Sequence, residues 1–465
     1  MTSKSTVRAD APLVGDVVEV EFTDLIAKTG QAVGRFGGLA IFVWGPLPGE
    51  HARVRVSEVK SNYAIGELVE RLETSPDRAE PFCEVFGVCG GCQLQHLAYP
   101  AQLQWKRRLV AEALARIGGL ERERVLPTIG MSEPRAYRNK MSLVVGGTAQ
   151  AREFGFYEAG THDLVPIHSC PIVMPQLDHT IESFRTLANE KSFAGAFREV
   201  RHVVARVGRT EGKVVVALSS RERSPELAES AEQIVAALPG VTGLCNSFHP
   251  ASENAVLGRT TVLLTGEPEI EETIRGIHFR VSSSSFFQVN AVMVTRILDL
   301  LAPHVPQQRI IFDLYCGAGT FSLVFAKLGA RVVGIEENPG AVAEAIENAQ
   351  RNGLADRVVF LPGRVERTIR SKPTSSMLRS AEVVFLDPPR KGSDQATLDA
   401  IVEAHPQRVW YLSCNPATLA RDLVVLTAGG YRLNIVQPFD MFPQTGHVEA
   451  LAFLDAEGVE PLVFS

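Results

Sequence analysis

Two short segments near the end of the chain carry groups that could do chemistry, a thiol in the first and a carboxyl group in the second. Cys414 follows the apolar run 409–412 within Ser413-Cys-Asn-Pro416, and Glu449 opens a second apolar run that ends at Leu454. A thiolate can attack an electron-poor carbon, and a carboxylate can remove a proton. The pattern predicts Cys414 as a nucleophile and Glu449 as a general base. The competing interpretations are a buried structural cysteine and a solvated glutamate at a strand edge.

A glycine-rich turn lies earlier in the chain, between an apolar run and a helical pattern. In Asp313-Leu-Tyr-Cys-Gly-Ala-Gly-Thr320, Gly317 and Gly319 let the backbone approach a ligand closely. The next predicted strand ends at Glu336, where a carboxylate can accept hydrogen bonds from both hydroxyls of an adenosine ribose. A dinucleotide would need a third glycine in the region that 320–322 fills. The turn therefore favours S-adenosylmethionine as the ligand.

The same region has the rhythm of a parallel sheet. Apolar runs that predict strands alternate with helical patterns at 309–314, 331–335, 357–361, 381–386 and 408–413. This alternation is typical of a doubly wound sheet, whose ligands bind at the carboxyl ends of its strands. Asp387, in Asp387-Pro-Pro-Arg390, follows the fourth of these strands and should face the same pocket. A strand–loop–strand pattern after Tyr431 predicts a closing antiparallel pair.

The N-terminal part is organised differently. Residues 1–12 resemble a frayed tail. Short apolar and alternating runs cut by glycine and proline, from Val14 to Glu73, predict a small β-barrel of oligonucleotide-binding type. Residues 75–81 are typical of a linker, and 101–117 predict a helix. Residues 140–285 mix strands with one or two helices.

Cysteines cluster after the linker. Cys83, Cys89 and Cys92 lie close in sequence, and Cys170 is far downstream. Four thiolates can hold structural zinc or a [4Fe–4S] cluster, and the spacing alone does not separate the two. The spacing differs from the Cys-x3-Cys-x2-Cys of radical enzymes, so a radical mechanism is disfavoured.

Charge and hydropathy restrict the class of protein. The chain has 465 residues, enough for several domains, and a net charge of −6, which excludes an overall basic coat. Residues 101–140 nevertheless hold nine Lys or Arg against four Glu, and this local excess favours contacts with phosphates. The segment Tyr137-Arg-Asn-Lys140 adds an aromatic ring that could contact bases. The chain has neither a long apolar run nor a secretory signal, so a cytoplasmic protein without a membrane segment is expected.

The motifs together resemble those of the RNA uracil-C5 methyltransferase family. The matching segments are Ser285-Phe-Phe-Gln-Val-Asn290, Asp313-Leu-Tyr-Cys-Gly-Ala-Gly-Thr320, Asp387-Pro-Pro-Arg390, Ser413-Cys-Asn-Pro416, Asp440-Met-Phe-Pro443 and Gly446-His-Val-Glu449. The N-terminal barrel resembles the TRAM domain that many members carry. The resemblance covers nearly the whole chain and is loosest over 140–280.

The resemblance implies specific roles for residues. Cys414 is the implied nucleophile and Glu449 the implied base, with Phe286 against the target base. The implied donor-binding residues are Gln288, Tyr315, Gly317, Gly319, Glu336 and Asp387. The implied RNA contacts are Tyr137, Arg138 and Lys140. The resemblance also favours a structural [4Fe–4S] cluster over zinc, with Cys83, Cys89, Cys92 and Cys170 as its ligands.

These inferences combine into a multidomain α/β protein. The expected parts are a tail (1–12), a TRAM barrel (13–75), a central mixed α/β iron–sulfur domain (76–281) and a Rossmann-like class I methyltransferase domain (282–465). Helix 101–117 is a candidate for packing on the last of these.

The expected activity is RNA (uracil-C5) methylation by a monomer, with 23S ribosomal RNA favoured and the tRNA T-loop as the alternative. Amino-group methylation of a base would need neither Cys414 nor Glu449. A catalytically silent RNA-binding or assembly protein would be expected to lack one of them.

Overall fold

The computed structural model describes residues 11–148, 151–248, 256–258, 260–285 and 287–464. These residues divide into two compact units. The first comprises the chain up to Gln102 together with Phe156–Val165 and Gln444–His447. The second comprises Leu103–Gly155, Pro166–Pro443 and the chain from Val448 onward.

The first unit contains a closed five-stranded barrel. Its strands are β1 (Val17–Leu25), β2 (Ala32–Phe36), β3 (Leu39–Val43), β4 (His51–Val59) and β5 (Tyr63–Glu73), joined in the order β1-β2-β3-β5-β4. The alternation seen in the sequence persists as burial, because Val18, Val20 and Phe22 point inward and their neighbours outward. This inward row fills the barrel as period-two side chains must. The predicted N-terminal barrel is confirmed.

A long helix and a seven-stranded sheet follow in the chain. The helix is α1 (Tyr99–Gly118). The next elements are β6 (Lys140–Gly147), β7 (Arg152–Tyr157), β8 (Leu164–Pro166), α2 (Pro175–Ala188), β9 (His202–Val207), β10 (Val214–Ser220), α3 (Pro225–Glu229), α4 (Ala231–Ala237), β11 (Val241–Phe248) and β12 (Thr260–Gly266). The strand order is β12-β11-β10-β9-β6-β7-β8. Val110 and Leu114 of α1 pack into the same core as strands of the C-terminal sheet described next.

The C-terminal part is an α/β sheet with a two-stranded ribbon before it. The elements are β13 (Glu269–Ile274), β14 (Ile277–Ser282), α5 (Ala291–Leu301), β15 (Ile310–Leu314), α6 (Thr320–Lys327), β16 (Arg331–Glu336), α7 (Pro339–Arg351), β17 (Val358–Pro362), α8 (Val365–Thr368), α9 (Lys372–Leu378), β18 (Ala381–Leu386), α10 (Gln395–Ala404), β19 (Arg408–Ser413), α11 (Pro416–Ala428), β20 (Tyr431–Phe439) and β21 (Glu449–Ala456). Two short 3₁₀ helices, Arg122–Arg124 and Ala302–His304, complete the described elements.

The seven strands β15 to β21 have the order β17-β16-β15-β18-β19-β21-β20 and are called the catalytic sheet because they carry the residues predicted to be catalytic. Strands β15 to β19 are parallel, and β21 is antiparallel to both β19 and β20. The five parallel strands predicted from the sequence and the closing antiparallel pair are therefore confirmed. None of the described helices is long and apolar enough to cross a membrane.

Candidate active site

The residues predicted to do chemistry lie along one edge of the catalytic sheet. Tyr315 follows β15, Glu336 ends β16, Asp387 follows β18 and Cys414 follows β19. Glu449 begins the antiparallel β21, where Ala450 pairs with Ser413, so it too lies at the carboxyl end of β19. Parallel strands end at a shared edge, which is where ligands of open α/β sheets bind.

The glycine turn between β15 and α6 has a packed side and an open side. Gly319 has φ 82°, and a Cβ on it would approach the ring of Phe360 to 3.1 Å and the side chain of Ala345 to 3.3 Å. Gly317 has φ 54°, but a Cβ there would meet nothing within 4 Å. Tyr315 also has a positive φ of 67°, which is uncommon for a residue with a side chain. The turn thus leaves space at Gly317 for a ligand.

Glu336 is fixed beside this space. Its Oε2 accepts a hydrogen bond from the backbone N–H of Gly317 at 3.1 Å, and its Oε1 accepts one from the N–H of Asn338 at 2.8 Å. Each carboxylate oxygen has further lone pairs, so both can still accept bonds from vicinal hydroxyls. The carboxylate therefore fits the ribose role expected for it.

Asp313 adds a buried carboxyl group that was not among the predicted site residues. It is 1% exposed, and its Oδ2 accepts a hydrogen bond from Ser322 Oγ at 2.5 Å. Its Oδ1 has no hydrogen-bond partner within the described part of the chain. Burial raises the pKa of Asp313 to about 7, and the negative charges of Asp387 and Glu336 act in the same direction. A buried hydrogen-bond acceptor without a partner can accept a hydrogen bond from a polar group of a bound methyl donor.

The thiol of Cys414 lies among ionisable groups. Cys414 is half-buried and forms no disulfide. Burial raises its pKa to about 11, and the carboxyl groups of Glu449 and Asp387 raise it further while Arg390 lowers it. The free protein therefore holds a neutral thiol at pH 7.

The two carboxyl groups near Cys414, those of Glu449 and Asp387, are also buried. Glu449 is 6% exposed, and within the described residues its Oε2 has no hydrogen-bond partner. Burial raises the pKa of Glu449 well above its usual value, with Asp387 adding to the shift and Arg390 opposing it. Burial likewise raises the pKa of Asp387 to about 7. Shifted carboxyl groups of this kind are common where proton transfer occurs.

A hydrogen bond joins the thiol loop to the Asp-Pro-Pro-Arg loop. Asn415 caps α11 by accepting a bond from the N–H of Ala417 at 3.1 Å, and its Nδ2 donates to the carbonyl oxygen of Arg390 at 3.0 Å. The thiol and the guanidinium-bearing loop are thereby held together. Arg390 was not singled out from the sequence, although its place two residues after the first proline of the loop was the available signal.

Three further predicted contacts remain, of which Gln288 and Phe286 precede α5 and Tyr315 follows β15. Gln288 is half-buried, and its carbonyl oxygen accepts a hydrogen bond from Asn139 Nδ2 at 3.3 Å. Phe286, predicted to lie against the target base, is outside the described residues. Burial raises the pKa of the Tyr315 phenol, near the hydroxyls of Ser393 and Thr397.

The predicted RNA contacts have unequal environments. Tyr137 is 4% exposed, and its hydroxyl donates to the carbonyl oxygen of Pro443 at 3.1 Å. Arg138 is half-buried, and its backbone pairs with that of Val173. Burial lowers the pKa of Lys140 to about 8, with Arg206 contributing. All three roles in RNA binding stay predictions.

One member of the basic stretch has a structural role instead. The Lys106 side chain is fully buried, and its Nζ donates to Asp440 Oδ1 at 2.5 Å and to the carbonyl oxygen of Phe442 at 3.1 Å. A phosphate cannot reach this ammonium without unfolding its surroundings. Lys106 is therefore not available for the phosphate contacts that the charge excess over 101–140 favours.

All four cysteines of the predicted cluster lie among the described residues. Cys83, Cys89 and Cys92 belong to the first unit, are half-buried and form no disulfide, and the N–H of Gly91 donates to Cys89 Sγ at 3.4 Å. Burial raises the pKa of Cys89, and the nearby Cys83 thiol raises it further. Among the described residues, no three His, Cys, Asp or Glu side chains converge as a metal site would require. Cys170 belongs to the second unit, where its N–H donates to Asp178 Oδ1 at 2.6 Å.

Comparison with known families and solved structures agrees with this architecture. Residues 264–457 match the tRNA (uracil-5-)-methyltransferase family, and residues 12–69 match the TRAM domain. The chain is also similar in fold to the tRNA (uracil-54, C5)-methyltransferase of Pyrococcus abyssi, solved with S-adenosyl-L-homocysteine. That similarity has a TM-score of 0.74 and 24% identity, and it covers 94% of this chain and 100% of the other.

Two relatives are similar over almost their whole length. An uncharacterized RNA methyltransferase of Halalkalibacterium halodurans is 40% identical over 448 residues, covering 95% of this chain and 97% of the relative. Another, of Thermosynechococcus vestitus, is 38% identical over 452 residues, covering 95% of this chain and 98% of the relative. Together with the family matches, these similarities show that the chain is an RNA methyltransferase that combines a TRAM domain with the tRNA (uracil-5-)-methyltransferase fold and belongs to that family.

Proposed function

We propose that this protein methylates C5 of uridine in RNA with S-adenosylmethionine, through a covalent bond between Cys414 and C6 of the base. One observation supports this more than any other. A half-buried thiol lies within electrostatic reach of Glu449, Asp387 and Arg390, at the sheet edge where the glycine turn is open. Amino-group methylation would require neither the thiol nor Glu449.

The donor site is proposed at the glycine turn. The open space at Gly317, the fixed carboxylate of Glu336 and the unpartnered Oδ1 of Asp313 fit the ribose and polar groups of S-adenosylmethionine. Gln288, Tyr315, Gly319 and Asp387 are proposed to complete it. When bound, the donor supplies an electrophilic sulfonium methyl group.

The thiol starts the reaction because C5 of uracil is a poor nucleophile. Addition of the Cys414 thiolate to C6 breaks the C5–C6 double bond and shifts electron density to C5 as an enolate. C5 can then take the methyl group in an in-line displacement that breaks the sulfur–methyl bond and releases S-adenosylhomocysteine, and this demands tight placement of both reactants. Since the free thiol has a pKa of about 11, its proton must pass to water as the uridine arrives, and Arg390 favours the thiolate that remains.

Glu449 completes the cycle. The methylated adduct still carries the C5 proton. Burial raises the pKa of Glu449, so Glu449 must first release its own proton to water, and the buried carboxylate is then a stronger base than a solvated one. Transfer of that proton to Glu449 restores the C5–C6 double bond and expels the Cys414 thiolate by β-elimination. One cysteine therefore suffices for turnover.

The RNA must present its base to a half-buried thiol. A base in folded RNA has to leave its stack to reach such a pocket, and Phe286 is proposed to lie against it. Arg138 and Lys140 are proposed to contact the RNA, and the TRAM barrel to bind it as well. Tyr137 is proposed as a weaker candidate because it is buried.

Ribosomal RNA is the proposed substrate. The combination of a TRAM domain with four cysteines carries this choice, and a T-loop uridine of tRNA is the alternative because the Pyrococcus abyssi neighbour is a tRNA (uracil-54, C5)-methyltransferase. Mass mapping of 5-methyluridine in both RNA classes from cells lacking the protein separates the two. Loss of a site in 23S ribosomal RNA supports the first, and loss confined to the T-loop supports the second.

A structural [4Fe–4S] cluster is proposed from the resemblance and the thiol donors. Cys83, Cys89 and Cys92 would supply three ligands and Cys170 the fourth. Bound there, the cluster would cross-link residues that are far apart in sequence and would take no part in methyl transfer.

The activity is tested by methyl transfer from labelled S-adenosylmethionine to RNA that lacks 5-methyluridine, followed by nucleoside analysis. Wild-type protein should produce 5-methyluridine, and Cys414→Ala should produce none while it still binds the RNA. Cys245→Ala is a matched control, because Cys245 is a buried cysteine of β11 outside the catalytic sheet, and it should retain activity. Full activity of the Cys414 variant would rule out the covalent mechanism, and inactivity of wild type on both RNA classes would favour a silent RNA-binding protein.

A further inference from the structure

Arg206 is a buried cation that the proposed mechanism does not use. It lies on β9 and is 0% exposed. Its Nη2 donates to the carbonyl oxygen of Ser285 at 3.0 Å, whereas Nε and Nη1 have no hydrogen-bond partner within the described part of the chain. Arg206 forms no ion pair with a described residue, although Glu344 and Glu272 lie close enough to oppose the fall in its pKa to about 10 that burial causes. Burying a cation in this way is unfavourable for folding.

The bond from Arg206 holds a segment that carries a proposed donor contact. We name Ser285 and Phe287–Asn290 the strap. The guanidinium carbon of Arg206 lies 5.9 Å from the centre of the Phe287 ring, within the range of a cation–π contact. Arg206 thus contacts the strap at its first two described positions, immediately before Gln288.

Asn139, which directly precedes β6, holds the middle of the strap. It is 1% exposed, its Nδ2 donates to the carbonyl oxygen of Gln288 at 3.3 Å, and its N–H donates to that of Val289 at 3.0 Å. Its own carbonyl oxygen accepts a bond from the N–H of Val207, the neighbour of Arg206. The start of β6 and the end of β9 therefore both hold the strap by hydrogen bonds.

The other contacts of the strap lead towards the catalytic residues. Ser285 Oγ donates to Glu344 on α7, which follows the strand that ends at Glu336. At the far end, Asn290 caps α5 and its Nδ2 donates to the carbonyl oxygen of Met441 at 3.0 Å, in the loop before Glu449. Because Asn139 holds the carbonyl oxygens of both Gln288 and Val289, the backbone at Gln288 has little freedom to shift.

We infer that Arg206 is a positioning residue that places Gln288 for donor binding through its bond to the Ser285 carbonyl. The inference rests on the proposed function, in particular on the donor-binding role of Gln288. A methionine of similar length would fill the space without a buried charge, so stability does not explain an arginine here. A group that destabilises the fold but fixes a functional segment is the expected compromise at a site.

The experiment measures S-adenosylhomocysteine binding by titration calorimetry in the full-length chain, together with the midpoint of thermal unfolding. Arg206→Met should bind the ligand about tenfold more weakly, the loss expected for one charge-assisted hydrogen bond, while its unfolding midpoint stays equal or rises. Arg206→Lys keeps the charge, so its affinity for S-adenosylhomocysteine should lie between those of wild type and Arg206→Met. Arg152→Met is the matched control, because Arg152 is a 9% exposed arginine of β7 whose Nε also has no partner among the described residues. It should bind like wild type.

A double variant separates positioning from a general structural effect. If Arg206 acts through Gln288, Arg206→Met should weaken binding little further in a Gln288→Ala background. Full additivity of the two losses would overturn the inference, as would unchanged affinity of Arg206→Met or a lowered unfolding midpoint as its main effect. Ligand binding needs no turnover. A failure of uridine methylation would therefore refute the proposed function, while the binding titration would still test the role of Arg206.

Discussion

At the scale of single residues, the chemistry depends on how its surroundings control the thiol of Cys414. Burial and the carboxyl groups of Asp387 and Glu449 favour the neutral thiol, whereas Arg390 favours the thiolate. Nucleophilic addition needs the thiolate. The free protein is therefore protected from unspecific alkylation, and we attribute activation to the arrival of RNA.

This balance predicts the alkylation rate of Cys414 in the free protein. The iodoacetamide rate should rise with pH toward about 11, because only the thiolate reacts. Arg390→Gln should slow alkylation at a given pH by removing the charge that lowers the pKa. Asp387→Asn should speed it above pH 7, where Asp387 is ionised.

Peptide mass spectrometry identifies the labelled cysteine, and Arg309→Gln, an exposed arginine at the other end of β15, serves as the control. Equal rates for Arg390→Gln and Asp387→Asn would contradict this description of the electrostatics.

At the scale of secondary structure, the buried pair Lys106–Asp440 links α1 to the loop between β20 and β21. Both side chains are fully buried and their charged atoms are 2.5 Å apart. Asp440→Asn would leave the ammonium buried without its counter-charge, which should reduce the free energy of unfolding by about 3–5 kcal/mol. Replacing both partners, Lys106→Met with Asp440→Leu, should lose much less.

Urea unfolding followed by tryptophan fluorescence checks this, since Trp105 lies beside Lys106 in α1. The control is Glu121→Gln, which breaks the exposed pair with Arg124 and should change stability by less than about 1 kcal/mol. If the double variant were as unstable as Asp440→Asn, the charge argument would fail.

The sequence predicted the elements better than their long-range partners. Strand ends of the catalytic sheet follow from local alternation and turn residues, which is why Cys414, Asp387 and Glu336 were expected at one edge. The ion pair of Lys106 joins residues 334 positions apart, and no periodic pattern records it. Arg206 was missed for a related reason, because His202–Val207 has the composition of an ordinary strand.

The sheet formed by β6 to β12 shows the same limit of prediction from local sequence. Strand β10 is parallel to β11 and antiparallel to β9, and β6 pairs with β9 across a helix and two strands. These pairings depend on packing between distant segments, which local propensity does not encode. The burial of Asp313 was equally hidden, although its motif was recognised.

At the scale of the whole molecule, the cysteine prediction has a direct outcome. Protein purified without oxygen should be brown and contain about four irons per chain if Cys83, Cys89, Cys92 and Cys170 hold a [4Fe–4S] cluster. Cys170→Ser should lower the iron content and the thermal midpoint, whereas Cys316→Ser, a buried cysteine of the glycine turn, should leave the iron unchanged. A colourless protein with one zinc per chain would contradict the [4Fe–4S] cluster and would indicate a structural zinc site at these cysteines instead.

The covalent bond between Cys414 and C6 can be trapped with 5-fluorouridine. RNA carrying this base, incubated with the protein and S-adenosylmethionine, should form a complex that survives denaturation, because fluorine at C5 cannot leave as a proton to Glu449. Mass spectrometry after digestion should locate the methylated base on Cys414. A protein that methylates uridine in ordinary RNA yet forms no such adduct, or forms it on another residue, would contradict the account.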